Sequence, residues 1–182
     1  MVETTTPTAY FTQTVPQQYA AALAATPELA KQTPMTAVVE VTGEEGGTFS
    51  LRSAGEQLEV QEGNQIEKPD LRVVLPYADW QVLAASNASD TFVDFVQRGK
   101  VQVVQGLKGT VNLELTRDDG SLWHSTMVFG DLAEPTLTMM MTKEDYDAML
   151  RGELNGQMAF LTGKLKFEGS LPLLMQIGAL AS

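Results

Sequence analysis

Two stretches of the chain alternate apolar and polar residues around a short turn, and each alternation predicts a β-hairpin. The first covers residues 36–51 with a turn at 43–47, and the second covers residues 110–129 with a turn at 117–120. Successive side chains of a strand point to opposite faces of its sheet, so this alternation indicates strands with one buried face. The more continuously apolar run Leu71–Leu75 predicts a central strand.

Apolar residues spaced three and four apart predict helices between and after these strands. Helix starts are indicated by Pro16, Pro27, Pro76, the Ser89-Asp90 pair and the capping-box sequence that begins at Thr142. Further strands are predicted over Leu58–Val60, Lys100–Gln105 and Thr136–Met141, and a last apolar helix over Leu171–Leu180. Residues 1–15 are polar and rich in threonine, so we expect them to form a flexible arm.

The stretch from Leu150 to Gly169 predicts the end of one helix, a break, a second apolar helical turn and a strand. Its side chains are mostly apolar, and it contains no recognisable catalytic group. A function located here is therefore expected to hold an apolar molecule rather than to catalyse a reaction.

The chain also resembles itself. Residues 39–49 align without gaps with residues 113–123, residues 68–84 align with residues 134–150, and a Gly-Lys pair follows each copy. Because identity between the copies is low, duplication is a hypothesis, and its alternative is convergence of two hairpin–strand–helix units. The hypothesis divides the chain into halves at residues 16–109 and 110–182, which either stand apart or form one continuous domain.

Charge and composition exclude several functions. The 182 residues carry a net charge of -11, which disfavours nucleic acid and attraction to anionic lipid. There is no cysteine, and His124 is the single histidine, so we expect no metal, no cofactor and no enzymatic activity. No apolar run is long enough to span a membrane, and no signal peptide is recognised. The absence of cysteine suits a reducing compartment, so a cytoplasmic location is expected.

The run Pro135–Ile177 resembles the sterol carrier protein 2 family, also called non-specific lipid-transfer proteins. It contains an apolar strand, a Thr-capped acidic helix, Gly-x-Leu-x-x-x-x-Ala-Phe from Gly152, Gly-Lys-Leu-Lys from Gly163 and a terminal apolar helix. The resemblance is strongest over residues 123–177 and fainter over residues 36–100, where the segment 90–105 has lost the Asn-Gly-Gln-Met-Ala-Phe pattern.

This resemblance implies an α+β fold with a mostly antiparallel sheet, helices on one face and a hydrophobic tunnel between helices and sheet. The chain departs from the family in carrying an additional half and in ending without a Ser-Lys-Leu-type address, so a peroxisomal location is not expected.

Methionines and aromatic residues in the second half are the candidate ligand-binding residues. Seven of the nine methionines lie between Met127 and Met175, and methionine adapts to apolar ligands of varied shape. The predicted ligand-binding residues are Trp123, Met127, Met141, Met149, Met158, Phe160, Leu161, Phe167, Leu171, Leu174 and Met175. Taken alone, each aromatic residue is more often part of an ordinary core than of a ligand-binding wall, and core packing is also the alternative for the methionines.

The sequence therefore favours a non-enzymatic protein that binds or transports a hydrophobic small molecule: a fatty acid, an acyl-CoA, a sterol or a phospholipid. One alternative is a protein-interaction module, with homodimers formed through the apolar C-terminal helix. Another is an accessory subunit that presents a lipid-like substrate to an enzyme.

Overall fold

Eight strands form one mixed sheet in the computed structural model, which describes residues 5–86 and 88–181. The strands are β1 (Thr36–Thr42), β2 (Gly47–Ala54), β3 (Gln57–Glu62), β4 (Leu71–Pro76), β5 (Gly109–Thr116), β6 (Leu122–Phe129), β7 (Thr136–Thr142) and β8 (Lys166–Gly169). Their order across the sheet is β3-β2-β1-β4-β6-β5-β7-β8. The predicted α+β class is confirmed, and both predicted hairpins are present as β1–β2 and β5–β6.

The sheet is mostly antiparallel but contains two parallel pairs, β1 with β4 and β5 with β7. In each parallel pair, a later strand lies beside the first strand of a hairpin: β4 lies beside β1, and β7 lies beside β5. The antiparallel pair of β4 with β6 joins the two sets of strands, and Val73 lies opposite Met127 at this junction. The hydrogen-bonded sheet is therefore continuous from edge strand β3 to edge strand β8.

The helices are mostly short. They are α1 (Pro7–Ala9), α2 (Val15–Ala25), α3 (Tyr77–Ala85), α4 (Thr91–Gln97), α5 (Val101–Gly106), α6 (Lys143–Leu150), α7 (Gly156–Leu161) and α8 (Leu171–Ala181). A π-helical turn, Tyr10–Thr14, joins α1 to α2, and a 3-10 helix covers Pro27–Lys31. None of the helices within the described ranges is both long and apolar enough to cross a bilayer.

Alternation along the strands gives the sheet one apolar and one polar face. Val39, Leu75, Leu113 and Met141 are buried on the face that packs against the helices. On the other face, Glu40 and His124 are exposed, whereas Glu114 and Met140 are half-buried. The hydrophobic core therefore lies between the sheet and one layer of helices.

Residues 101–106 form helix α5, so the strand predicted over Lys100–Gln105 is wrong. Val101 and Val104 are buried, which is a helical spacing, while Val101 and Val103 also fit the period of a strand. The local pattern satisfies both periods. The preceding helix α4 and the turn at Gly99, with a φ of 69°, favour the helix.

The N-terminal segment is helical from Pro7, which departs from the flexible arm predicted over residues 1–15. Residues 1–4 of that prediction lie outside the described residues. Phe11 stacks on Phe49 with 4.6 Å between ring centroids, and Tyr10 meets Trp80 edge-on at 5.7 Å. Both residues are buried. Threonines dominate the local composition, but these two aromatic side chains fix the segment on the first half of the sheet.

Candidate apolar binding site

Helix α7 is held in place by its two ends. Asn155 caps it, because the Asn155 side-chain oxygen accepts the backbone N–H groups of Gln157 at 2.7 Å and Met158 at 3.1 Å. At the other end the Leu165 N–H donates to the carbonyl of Ala159 at 2.9 Å. Ala159 and Leu165 are both buried, so this short helix packs on the core through one narrow face.

The turn after α7 is fixed by an ion pair. The Lys164 Nζ lies 2.7 Å from Asp145 Oδ1, which ties the turn to the first turn of α6. This hydrogen bond holds the pKa of the Asp145 carboxyl below its ordinary value. The Thr142 hydroxyl accepts the Asp145 N–H at 3.1 Å, which confirms the predicted N-cap of α6.

Strand β8 is the edge of the sheet, and it leads directly into α8. Gly169 has a φ of 105° and lies so close to β7 that a Cβ would be 2.4 Å from the Thr136 carbonyl oxygen. The Ser170 hydroxyl then accepts the Leu173 N–H at 3.2 Å and supports the first turn of α8. The edge strand and the last helix are therefore positioned together.

The predicted ligand-binding residues fall into three groups by exposure. Trp123, Met141 and Met149 are buried in the core, and Met127, Phe167 and Leu174 are half-buried. The remaining five are exposed: Met158, Phe160, Leu161, Leu171 and Met175. Phe160 and Phe167 are in ring contact, with 5.6 Å between their centroids. The exposed group lies entirely on α7 and α8.

Phe167 is on the helix-facing side of the sheet, because it pairs with the buried Met139. It packs against the core but keeps part of its surface exposed, as do Leu174 and Ile177 of α8. Apolar groups from β8, α7 and α8 are thus incompletely covered by protein. Such surface is available to an apolar ligand.

Two incompletely covered residues were missed by sequence reasoning. Ile177 is half-buried on α8, and Val73 is half-buried opposite Met127 at the junction of β4 and β6. The apolar run Leu71–Leu75 predicts a central strand, but the run alone does not show that the helices leave its middle partly open.

Two open clefts lie elsewhere on the protein. One, of about 530 Å³, is lined by Arg117, Asp118, Asp119, Lys143, Glu144, Asp147 and Arg151. Its basic residues are each paired with a carboxylate: Arg117 with Asp79, Lys143 with Asp147 and Arg151 with Glu153. The other, of about 250 Å³, is formed around α2 and includes Leu23 and Pro27. Neither cleft is the apolar tunnel that the family resemblance implies, and that tunnel stays a prediction.

Within residues 5–86 and 88–181, no cluster of acidic or histidine side chains could hold a metal ion. His124 is exposed on the polar face of the sheet, and its backbone N–H donates to Asp79 at 3.0 Å.

Comparison with known proteins finds a matching family model and related proteins. Residues 96–182 match the model of the SCP-2 sterol transfer family. The chain is 35% identical over 68 residues to peroxisomal multifunctional enzyme A of Dictyostelium discoideum, covering 37% of this chain and 14% of that protein. It is 32% identical over 89 residues to hydroxysteroid dehydrogenase-like protein 2 of Rattus norvegicus, covering 42% of this chain and 16% of that protein. The chain thus spans about a seventh of the length of these curated relatives.

Among solved structures, the sterol carrier protein domain 2 of Helicoverpa armigera is similar with 20% identity and a TM-score of 0.39. The match covers 48% of this chain and 78% of that chain.

Proposed function

We propose that the protein binds and carries a hydrophobic molecule without converting it chemically, because residues 96–182 match the model of the SCP-2 sterol transfer family. The ligand classes are fatty acid, acyl-CoA, sterol and phospholipid. The observation that carries the proposal is the incompletely covered apolar surface of Phe167, Leu174 and Ile177, which lies within the residues matched to the family.

Burial of the ligand supplies the driving force. Each CH2 group removed from water contributes roughly 0.8 kcal/mol, so an acyl chain needs only partial coverage to bind. Phe160 is 46% exposed and touches Phe167, so a ligand lying against this aromatic pair would cover both rings. The half-buried Met127 and Leu174 extend the same kind of surface. The buried Trp123, Met141 and Met149 belong to the hydrophobic core against which these half-buried residues pack.

In the first half, the N-terminal segment covers part of the apolar face of the sheet. Phe49 is covered by Phe11, and Tyr10, Val15 and Trp80 are buried around it. The N-terminal helices therefore occupy the place where a ligand would lie on that half. This supports a single binding site in the C-terminal half.

The pairing of strands supports the proposed duplication. Val39 lies opposite Val73 in the first parallel pair, and Leu113 lies opposite Met139 in the second. Under the alignment of residues 39–49 with 113–123 and 68–84 with 134–150, these two pairs are equivalent. An ancestral hairpin followed by a parallel strand would produce this arrangement, with the β4–β6 pair joining the copies.

A role beside an enzyme is the second candidate. Both curated relatives carry the names of enzymes, and this chain matches about a seventh of each. In this version the bound lipid-like molecule is presented to a catalytic partner rather than transported. The cytoplasmic location remains a prediction in either version.

Purified protein should contain co-purified lipid, identified by native mass spectrometry and organic extraction. After delipidation it should bind a fluorescent fatty acyl probe at micromolar concentration, with displacement by the lipid that was extracted. A delipidated protein that stays folded but binds no probe, and that was isolated empty, would overturn the carrier function. If the protein does bind lipid, co-purification tests whether it also associates with a catalytic partner.

A further inference from the structure

Helix α8 runs from the edge strand of the second half to the helices of the first half. It begins directly after β8, where the Ser170 hydroxyl supports its first turn. Leu173 then lies against the start of β5, since a Cβ on Gly109 would be 3.2 Å from Leu173 Cδ2. Beyond this point α8 packs against α5 of the first half. The two ends of α8 are therefore positioned by different halves of the chain.

Arg98, the residue after α4, holds the C-terminal end of α8. Its Nη2 atom donates to the Leu180 carbonyl, and its Nη1 atom lies 3.1 Å from Asp94 Oδ2. The last carbonyls of a helix have no partner within the helix, and a cation at that end also meets the negative end of the helix dipole. The Arg98 side chain is only 25% exposed, so this contact is partly shielded from water.

The Arg98–Asp94 pair also lies near α6 of the second half. Burial and the Asp94 and Asp147 carboxylates raise the pKa of the Tyr146 hydroxyl, while Arg98 lowers it. Tyr146 is half-buried and packs against the hydrophobic core. The end of α4 is thus placed between the first half and two helices of the second half, α6 and α8.

The segment of α8 before this contact carries incompletely covered apolar residues. Leu174 and Ile177 are half-buried and pack against the core. Gly178 follows them in the last turn, and no atom lies within 4 Å of the position that its Cβ would take. Glycine weakens a helix from within, so the last turn of α8 depends on contacts from outside the helix. The hydrogen bond from Arg98 is one of these contacts.

We infer that Arg98 is a positioning residue for the proposed binding site: it anchors the last turn of α8 and so sets how fast an apolar ligand enters and leaves beside Leu174 and Ile177. When the guanidinium releases the Leu180 carbonyl, the last turn of α8 loses this anchor, while β8 and Ser170 keep the first turn in place. The additional half of the chain thereby controls ligand exchange in the second half. The inference rests on the proposed function, because an exchange rate exists only if a ligand is bound there.

The test measures the exchange of a fluorescent fatty acyl probe from the full, delipidated chain. Stopped-flow displacement by excess unlabelled fatty acid should show that the probe leaves Arg98→Ala about tenfold faster than the unmodified protein, because a charge-assisted hydrogen bond is lost. Association should be faster as well, since the open arrangement of α8 is populated more often. Amide hydrogen exchange should be faster in the last turns of α8 and unchanged in β5.

Two variants and a control separate this role from a general loss of stability. Arg98→Lys keeps a cation that can donate to the Leu180 carbonyl, so its rates should stay within about twofold of the unmodified protein. Arg98→Met keeps an unbranched stem without the donors, and it replaces Arg98→Ala if that variant does not fold. Arg151→Ala is the matched control, because Arg151 pairs with Glu153 at an exposed position of the same half. Its probe should leave at the unmodified rate.

An unchanged dissociation rate in the folded Arg98→Ala or Arg98→Met protein would overturn the inference, as would an equal acceleration in Arg151→Ala. Faster hydrogen exchange throughout the sheet would also overturn it, because Arg98 would then support the whole fold rather than α8. Absence of probe binding by the unmodified chain contradicts the carrier function itself. Probe binding with unchanged rates contradicts only the role of Arg98.

Discussion

Asp79 of α3 and Arg117 of the β5–β6 turn form a salt bridge, with 2.7 Å between Asp79 Oδ1 and Arg117 Nη2. The Asp79 Oδ2 atom accepts the His124 N–H at 3.0 Å, and the Asp79 carbonyl accepts the Trp123 indole N–H at 2.9 Å. A helix of the first half is thereby tied to the hairpin of the second half. The Asp79 side chain is buried, so these partners replace water around its carboxylate.

Replacing Asp79 by alanine should destabilise the protein by about 2 kcal/mol. The change leaves the partly buried Arg117 guanidinium and the His124 N–H without their acceptor. Urea unfolding at pH 7 measures the effect. Glu28→Ala is the control, because Glu28 pairs with Lys31 in the exposed 3-10 helix and should change stability by less than about 0.5 kcal/mol. Equal effects of the two changes would contradict the importance of the Asp79 contacts.

Asp90 should make stability decrease between acidic and neutral pH. Burial raises the pKa of Asp90 from 3.8 to about 6, so the folded state binds a proton that the unfolded state has released. The contribution of the neutral Asp90 carboxyl to stability is therefore complete below pH 4 and is lost as pH rises through 6. Asp90→Asn keeps the cap on the Phe92 N–H and removes the charge. The variant should be more stable than the unmodified protein at pH 7 by about 3 kcal/mol.

The measurement for Asp90 is urea unfolding at pH 5 and pH 7. The advantage of Asp90→Asn should grow by about 1 kcal/mol between these two values. Asp90→Ala serves as the comparison, because it also removes the charge but loses the cap and the contact with Tyr10. An advantage of Asp90→Asn that does not change with pH would show that the carboxyl titrates normally.

Local features were predictable from the sequence. The Thr142 cap, the two hairpins and the helix after Pro76 depend on residues close together in the chain, and the structure has all of them. The parallel pairs β1–β4 and β5–β7 were harder to predict, because pairing across a sheet depends on contacts between residues far apart in sequence. Hairpin register also differs between the halves: Val41 lies opposite Gly47, whereas Leu115 lies opposite Trp123.

The candidate site was predictable in composition but not in exposure. Periodicity separates the two faces of α8, yet it cannot tell which face is covered. Leu173 is buried and Met175 is exposed, although both are apolar and only two residues apart. The burial of Asp90 beside Tyr10 likewise depends on a contact across 80 positions of the chain. Whether an apolar side chain is buried depends on tertiary contacts, which a single sequence does not specify.

Gly169→Ala should displace β8 and the start of α8. A methyl group at Gly169 would meet the Thr136 carbonyl oxygen at 2.4 Å, and its φ of 105° is unfavourable for any other residue. Gly120→Ala is the matched control, because Gly120 also has a positive φ, of 83°, but has open space around it. Thermal unfolding should show that Gly169→Ala is more destabilising than Gly120→Ala by at least about 1 kcal/mol. Similar losses would mean that backbone strain alone matters at both positions.

Phe167→Ala should weaken binding of a fluorescent fatty acyl probe about tenfold. Phe167 is half-buried on the helix-facing side of the sheet and touches Phe160, so its ring offers apolar area that a ligand would cover. Loss of that area removes favourable burial from the bound state. Phe167→Leu should retain most of the affinity, because it keeps an apolar side chain.

Probe titration followed by fluorescence gives the dissociation constants, and circular dichroism shows whether each variant is folded. Leu122→Ala is the control for Phe167→Ala, because Leu122 is exposed on the opposite face of the sheet and should leave the affinity unchanged. Folded Phe167→Ala and Phe160→Ala proteins that bind the probe as tightly as the unmodified chain would place the ligand elsewhere. The junction at Val73 and Met127, which is also incompletely covered, would then be the next surface to alter.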